Sequence, residues 1–257
     1  MMQVESTSLL KPLVKGSCRA ANLGCPCFFN KMTKRKTTLY IDGFNLYYGA
    51  LKSTPYLWLN PVLLASKIFT KNDIVKTTYC SARVSNLPTD PEVKSRQLEY
   101  CKALTSIKDL KIIEGHFKRR PKLAKNASKE GFTKIISTEE KGSDVNLACH
   151  LLMDAFNNDF EEAIVVSGDS DLVCPVKMVG RDMKKKVHVL NPQLIEGIYR
   201  RKVRRKTELK QVSCLYIPSV RERLLRNSQF EMQISNSKGE LINKPSHWCK
   251  NYPATSQ

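Results

Sequence analysis

No run in this sequence approaches the roughly 18 consecutive apolar residues that a membrane-crossing helix needs, and the first 31 residues lack the continuous apolar stretch of a secretory signal. Both absences point to a cytoplasmic protein with no membrane partner. The nine cysteines form an odd-numbered, scattered set with no framework spacing, which argues for free thiols in a reducing compartment and against a disulfide-built fold. Four zinc ligands at workable spacing are also missing: Cys18, Cys25 and Cys27 come nearest and fall short. No G-x-G-x-x-G follows a strand-like run, no flavin fingerprint is present, and no pair of histidines joins a carboxylate as a mononuclear iron site would require. Acidic residues are scarce as well. There are 24 Asp and Glu against 43 Lys and Arg, a formal charge of +19. That excess repels itself unless an anionic partner or the ionic atmosphere absorbs it, so a nucleic acid or another anionic surface is the expected partner.

The chain is long enough to bury a sizeable core. Residues 1–36 carry seven Lys/Arg and one Glu without sustained periodicity, and read as a disordered basic extension. Met32, just ahead of the first strand, is an alternative start. Thr37 to Ile41 is a β-branched and aromatic run that stops at Asp42-Gly43, as a buried strand ending in a turn would. Asn60-Pro61 and Asp90-Pro91-Glu92 supply helix starts, and 74–82, 110–117, 132–138, 163–166 and 187–190 read as strands. Between 118 and 134 lies an expected basic loop. A helix opens at Ser143, with Val145, Ala148, Leu151, Leu152, Ala155 and Phe156 at helical spacing. Strands alternating with helices predict an α/β fold with a mostly parallel sheet flanked by helices. The domain is expected over 37–192, with 193–257 as a basic helical appendage and tail.

Two of these strands deliver aspartates where the chain leaves the sheet. Asp42 follows the first; Asp169 and Asp171 follow the run at 163–166, with Gly168 permitting a sharp turn. Asp144 lies in the first turn of its helix. Ligands of open α/β sheets gather outside the carboxyl ends of the strands, where loops and helix N-termini converge. Carboxylates brought together there need raised pKa values or a cation among them, and oxygen ligands suit Mg²⁺ or Mn²⁺. Asn45, one helical turn beyond Asp42, offers an amide to orient a carboxylate or water. Singly, each aspartate is explained by a turn or a helix cap. Together, three at strand exits and one at a helix start favour a shared site.

Three segments carry a family resemblance: Tyr40-Ile41-Asp42-Gly43-Phe44-Asn45-Leu46-Tyr47, then Glu139-Glu140-Lys141-Gly142-Ser143-Asp144-Val145, then Val165-Val166-Ser167-Gly168-Asp169-Ser170-Asp171-Leu172. In this order they resemble the NYN-domain proteins of the PIN-like nuclease superfamily, in its bacterial LabA-like branch, over roughly residues 37–192. The resemblance implies a Rossmann-like PIN fold and a metal-dependent ribonuclease. Asp42, Asp144, Asp169 and Asp171 would be its acidic cluster, Asn45 its motif asparagine and Glu140 an accessory carboxylate. A similar branch includes proteins assigned as NADH-dependent 6-hydroxy-3-succinoylpyridine hydroxylases of nicotine breakdown, so a monooxygenase acting on a small pyridine is the second reading. A non-catalytic RNA-binding module is the third.

Lys118, Arg119, Arg120 and Lys122, with Arg200, Arg201, Arg204 and Arg205, are the expected RNA contacts, where each phosphate contact makes affinity salt-dependent. Tyr47, Tyr48, Tyr56 and Trp58 are either base-stacking rings or core and rim packing. His116, His150 and His188 read as packing residues, Cys149 and Cys174 as small hydrophobes. A homo-oligomer is compatible with the sequence.

Overall fold

The computed structural model describes residues 34–86, 88–125, 132–197, 199–200, 208–236 and 238–249. The expected N-terminal extension falls almost wholly outside them, as do Cys18, Cys25, Cys27 and Met32. Seven strands form one sheet in the order β4-β3-β2-β1-β5-β6-β7. They are β1 (Arg35–Asp42), β2 (Asn72–Ala82), β3 (Leu110–Lys125), β4 (Phe132–Lys141), β5 (Glu162–Val166), β6 (Lys186–Leu190) and β7 (Leu215–Ile217). All neighbours pair parallel except β3 and β4. After β3 and β4 the chain returns past β1 to lay down β5 on its other side. The order of the strands therefore reverses between β1 and β5, which is where a parallel sheet opens a crevice at its carboxyl edge.

Strand alternation divides the apolar residues between two cores. Leu39, Ile41, Ile164, Val166 and Leu190 face one side, under α1 (Gly43–Leu46), α2 (Pro61–Ile68) and α3 (Val93–Thr105). Tyr40, Ala163, Val165, Val187 and Val189 face the other, under α4 (Ser143–Phe156), α5 (Val173–Arg181) and α6 (Glu208–Val212). Asn60 caps α2 as expected, its side chain accepting from the Leu63 N–H at 2.9 Å. Asp90 does not cap α3; it pairs instead with Arg96.

Three expectations change. The basic loop at 118–134 is largely a β-ribbon, because β3 runs on to Lys125 and pairs antiparallel with β4 from His116↔Lys141 to Lys125↔Phe132. In α4 the buried side is set by Ser143, Leu147, Leu151 and Ala155, while Val145 and Phe156 are 65% and 77% exposed. Finally, the segment after 192 is not set apart. It supplies β7, α7 (Glu222–Arg226), the β8 (Gln233–Ser235) and β9 (Leu241–Asn243) hairpin and α8 (Ser246–Cys249), and it buries Leu194, Leu209, Val220, Leu225 and Ile242. Trp58 shows why: its ring lies against Phe230 and Trp248, and its Nε1 donates to the Glu231 carbonyl at 2.8 Å.

Cys80 and Cys101 are buried, whereas Cys149 and Cys174 are exposed rather than packed. His188 is buried against Glu162, with His116 at the surface and His150 partly covered. Among the described residues, no helix is long and apolar enough to cross a membrane.

Candidate functional site

Asp42 is the last residue of β1 and the cap of α1. One carboxylate oxygen accepts from the Asn45 N–H at 2.9 Å, the other from the Ser167 hydroxyl at 2.9 Å. Ser167 also accepts from the Asp169 N–H at 3.0 Å, and the Asn45 side-chain oxygen accepts from the Gly168 N–H at 3.1 Å. These bonds tie the exit of β1 to the exit of β5. Gly168 must lack a side chain here, since a Cβ would come within 2.6 Å of the Asn191 side-chain oxygen. Asp169 caps the short turn Ser170–Leu172, accepting from the Asp171 N–H at 3.1 Å. So the capping roles open to single aspartates hold for Asp42 and Asp169, alongside their convergence.

The other side of the crevice comes from β4 and α4. Gly142 turns the chain at φ +100°, a conformation that suits glycine, and leaves α4 without a side-chain cap of its own. Glu140 serves instead, its Oε1 accepting from both the Ser143 N–H at 3.1 Å and the Ser143 hydroxyl at 2.8 Å. Asp144 follows on the first turn of α4.

A pocket of about 300 Å³ lies between these elements, lined by Asp42, Asn45, Asp144 and Asp169 together with Glu140, Phe44 and other side chains. Asp171 is not among the lining residues; it is exposed in the adjoining turn. Burial first, then the charges of Asp42, Asp169, Glu140 and Asp171, push the Asp144 carboxyl up to about 6. Burial likewise raises Asp42, against the opposing hydrogen bonds from Asn45 and Ser167. The carboxylates thus stand close enough to disfavour one another's charge, which is the condition under which a cation becomes favourable. Among the described residues, no three His, Cys, Asp or Glu side chains are arranged to hold an ion unaided. The carboxylate and amide oxygens that line the pocket are the donor type that suits Mg²⁺ or Mn²⁺, and Mg²⁺ keeps several of its waters while taking one or two carboxylates.

The basic residues are distributed differently from expectation. Phe117 pairs with Glu140, and Arg119 with Thr138, so these positions share the pocket face of the ribbon. Lys118, Arg120 and Lys122 alternate to the opposite face, where Lys118 pairs with Glu139. There the Glu139 carboxyl is held below its usual range by Lys141 first, then by Lys122 and Arg120. The Arg119 side chain and Arg201, Arg204 and Arg205 lie outside the described residues; Arg200 is exposed. The tyrosines divide. Tyr56 and Trp58 are buried core residues, while Tyr47 and Tyr48 are exposed at the rim. Ser167, Ser143, Thr138 and Phe117 belong to the site without having been singled out. The first two lie inside the recognised motifs, but the last two acquire their place only through the β3–β4 register.

A curated relative, the 6-hydroxy-3-succinoylpyridine 3-monooxygenase HspA of Pseudomonas putida, is 28% identical over 185 residues, which are 61% of this chain and 59% of that protein. The chain therefore spans under two thirds of that relative's length. A solved structure, a protein of unknown function from Vibrio parahaemolyticus, overlays with a TM-score of 0.48 at 16% identity, covering 74% of this chain and 95% of that one. The NYN domain profile matches residues 36–208. The chain belongs to the NYN domain family, within the PIN-like nuclease superfamily.

Proposed function

We propose that this protein is a metal-dependent ribonuclease that hydrolyses phosphodiester bonds of RNA at the acidic pocket. NYN domains are nuclease-like and RNA-related, and PIN-like nucleases typically use divalent metals. The observation that carries the reading is the gathering of Asp42, Asp144 and Asp169 in one pocket at the point where the strand order reverses. Asp42 and Asp169 would hold the ion with water completing its shell, and Asp144 and Glu140 would stand beside them. When bound, Mg²⁺ or Mn²⁺ lowers the pKa of a coordinated water and neutralises charge on the phosphoryl oxygens.

The chain's own part is orientation. Asn45 and Ser167 fix both oxygens of Asp42, so its lone pairs meet the pocket in one direction. Asn45 in turn pins Gly168 and with it the approach of Asp169. Glu140 and Ser143 lock the first turn of α4, which sets where Asp144 enters. Asp171 adds negative charge at the margin and is an outer positioning group in this reading. The excess of Lys and Arg, +19 overall, offsets the repulsion an RNA backbone would meet at such a pocket.

The test is cleavage of single-stranded RNA with and without Mn²⁺, comparing the natural protein with Asp42→Asn. Cleavage should need the metal and fall at least ~100-fold in the variant, the order expected when a pre-oriented charge is removed from a reacting centre. Undiminished cleavage by the variant or by metal-stripped protein overturns the assignment. A second reading draws on the likeness to HspA, whose name describes a monooxygenase acting on 6-hydroxy-3-succinoylpyridine. It requires substrate-dependent consumption of NADH and oxygen, followed as loss of the reduced nicotinamide absorbance.

A further inference from the structure

Beside the acidic pocket, and sharing Phe44, Tyr48, Phe117 and Thr138 with it, opens a second and larger cavity of about 1230 Å³. Its character is different. Tyr79, Tyr100 and Trp248 are among its walls, and its acidic lining residue, Asp90, is paired with Arg96. Lys52 stands at its margin with its ammonium 5.0 Å from the centre of the Tyr48 ring. The two spaces therefore meet along an aromatic ledge, acidic on one side, mixed aromatic and polar with cationic margins on the other. In the ledge Phe44 and Tyr48 are close to parallel, 22° apart at 6.4 Å between centroids, and Phe117 stands edge-on to Phe44 at 5.7 Å.

The local backbone gives the ledge its shape. After α1 the helix widens into a π turn over Tyr47–Leu51, closed by the Lys52 N–H donating to the Tyr47 carbonyl at 2.7 Å. Such turns are rare and are found mostly at functional positions. This one presents two consecutive tyrosines to solvent, with Tyr48 54% exposed.

We infer that the aromatic cavity seats an unpaired base of the RNA strand, that of the nucleotide adjoining the phosphate held in the acidic pocket, stacked on the Tyr48–Phe44–Phe117 ledge. The inference rests on the ribonuclease reading and adds to it the form of the substrate. A ligand that spans both spaces must be anionic at one end and flat and aromatic at the other, joined by a short linker; a nucleotide has that form. The volume exceeds the ~300–1000 Å³ usual for drug-sized ligands, so it has room for a nucleotide together with its neighbour. A base held in a duplex cannot reach the ledge without unpairing, so the site selects single strands. Because every base has a π face, it does so with little regard to sequence.

The experiment measures binding by the full chain carrying Asp42→Asn, which keeps the strand intact, using a fluorescent hexanucleotide RNA and its counterpart with abasic residues. Adding Tyr48→Ala should weaken binding of the normal strand by roughly 5- to 150-fold, the worth of one base stacked on an aromatic ring. Tyr48→Phe should restore it, and on the abasic strand Tyr48→Ala should change nothing. Tyr48 is exposed, so the fold should survive, and an unchanged thermal midpoint checks this. Equal affinity of Tyr48→Ala for both strands relative to its parent, or an equal loss on both, overturns the inference. Metal-dependent cleavage by the natural protein alongside that outcome leaves the ribonuclease reading standing alone. If RNA is neither bound nor cut, both fall together. Displacement of the strand by free 6-hydroxy-3-succinoylpyridine, with loss of that displacement in Tyr48→Ala, would reassign the cavity to a small molecule and also overturn the inference.

Discussion

At the scale of single residues, the acidic pocket carries a cost in stability that the proposed cation would relieve. Asp144 titrates near 6 instead of 3.8 because burial and four neighbouring carboxylates disfavour its charge. A carboxyl raised in this way lowers stability as pH climbs from about 3.8 through 6, with the whole cost present above that range. Two pKa steps correspond to ~3 kcal/mol, and partial solvent screening brings this nearer ~1–2 kcal/mol. Asp144→Asn should therefore raise the thermal midpoint of metal-free protein at pH 7.5 by roughly 2–6 °C. Mn²⁺ should raise the midpoint of the natural protein and do so much less for the variant. A lower midpoint for metal-free Asp144→Asn would show that the carboxylates do not repel one another there.

Glu162 is the opposite case, at the other end of the sheet. Burial alone would raise its carboxyl, but hydrogen bonds from Arg35, His188 and Asn72 outweigh that and hold it at about 2, below its ordinary 4.5. Its contribution is complete above about 4.5 and is lost as pH falls through about 2. The shift corresponds to roughly 3 kcal/mol, and solvent screening of the exposed Arg35 brings this nearer ~1–2 kcal/mol. Glu162→Gln should lower stability at pH 7 and flatten its dependence on acid between pH 5 and 2, as followed by urea denaturation. An unaltered acid profile would discount the network.

At the scale of elements, the base of the β3–β4 ribbon governs the site from outside the motifs. Gly115 lies where a Cβ would stand 2.6 Å from Glu140 Oε1 and 2.7 Å from the Lys141 carbonyl. The second of these is backbone and cannot swing away. Gly115→Ala should cost ~1–3 kcal/mol, as overpacking of a close approach does, and should depress RNA cleavage further by shifting Glu140 and the start of α4. Full activity with normal stability would show that the ribbon does not set the position of α4.

The same elements show what sequence can and cannot reveal. The exit of β1 was legible because a β-branched run breaking at Asp42-Gly43 is a local signal, and Asn60-Pro61 is an equally local one. The ribbon was legible only in its second strand, read over 132–138. The stretch from Lys118 to Lys125 that extends β3 is mostly charged, and its described side chains are largely exposed, so the alternation that betrays a half-buried strand is absent there. In α4 the helix was legible but its buried side was partly misjudged: apolar Val145 and Phe156 face solvent, while polar Ser143 is buried because Glu140 satisfies it. Phe117 and Thr138 enter the pocket through strand register, which no short window of sequence encodes.

At the scale of the whole molecule, the C-terminal quarter contributes to the core. Its strands are three residues long, too short for any periodic signal, and its contribution comes as isolated side chains. Leu209, Val220, Leu225 and Ile242 are each at most 3% exposed. At ~1.5–3 kcal/mol for each buried apolar side chain, their loss amounts to ~6–12 kcal/mol. That rivals the ~5–15 kcal/mol by which domains are stable at all. A chain ending at residue 206 should therefore show no cooperative thermal transition. A sharp transition in that fragment would mean that the segment is dispensable after all.

The reversal of strand order between β1 and β5 has a temporal consequence. The carboxylates of the pocket are supplied by residues 42, 144 and 169, and β1 becomes an interior strand only after β5 has docked beside it. Pairing over such separations is slow compared with local helix formation. On the ribonuclease reading proposed above, the polypeptide emerging amid ribosomal RNA thus carries no assembled cutting centre. The pocket is complete only when most of the chain is already made and folded.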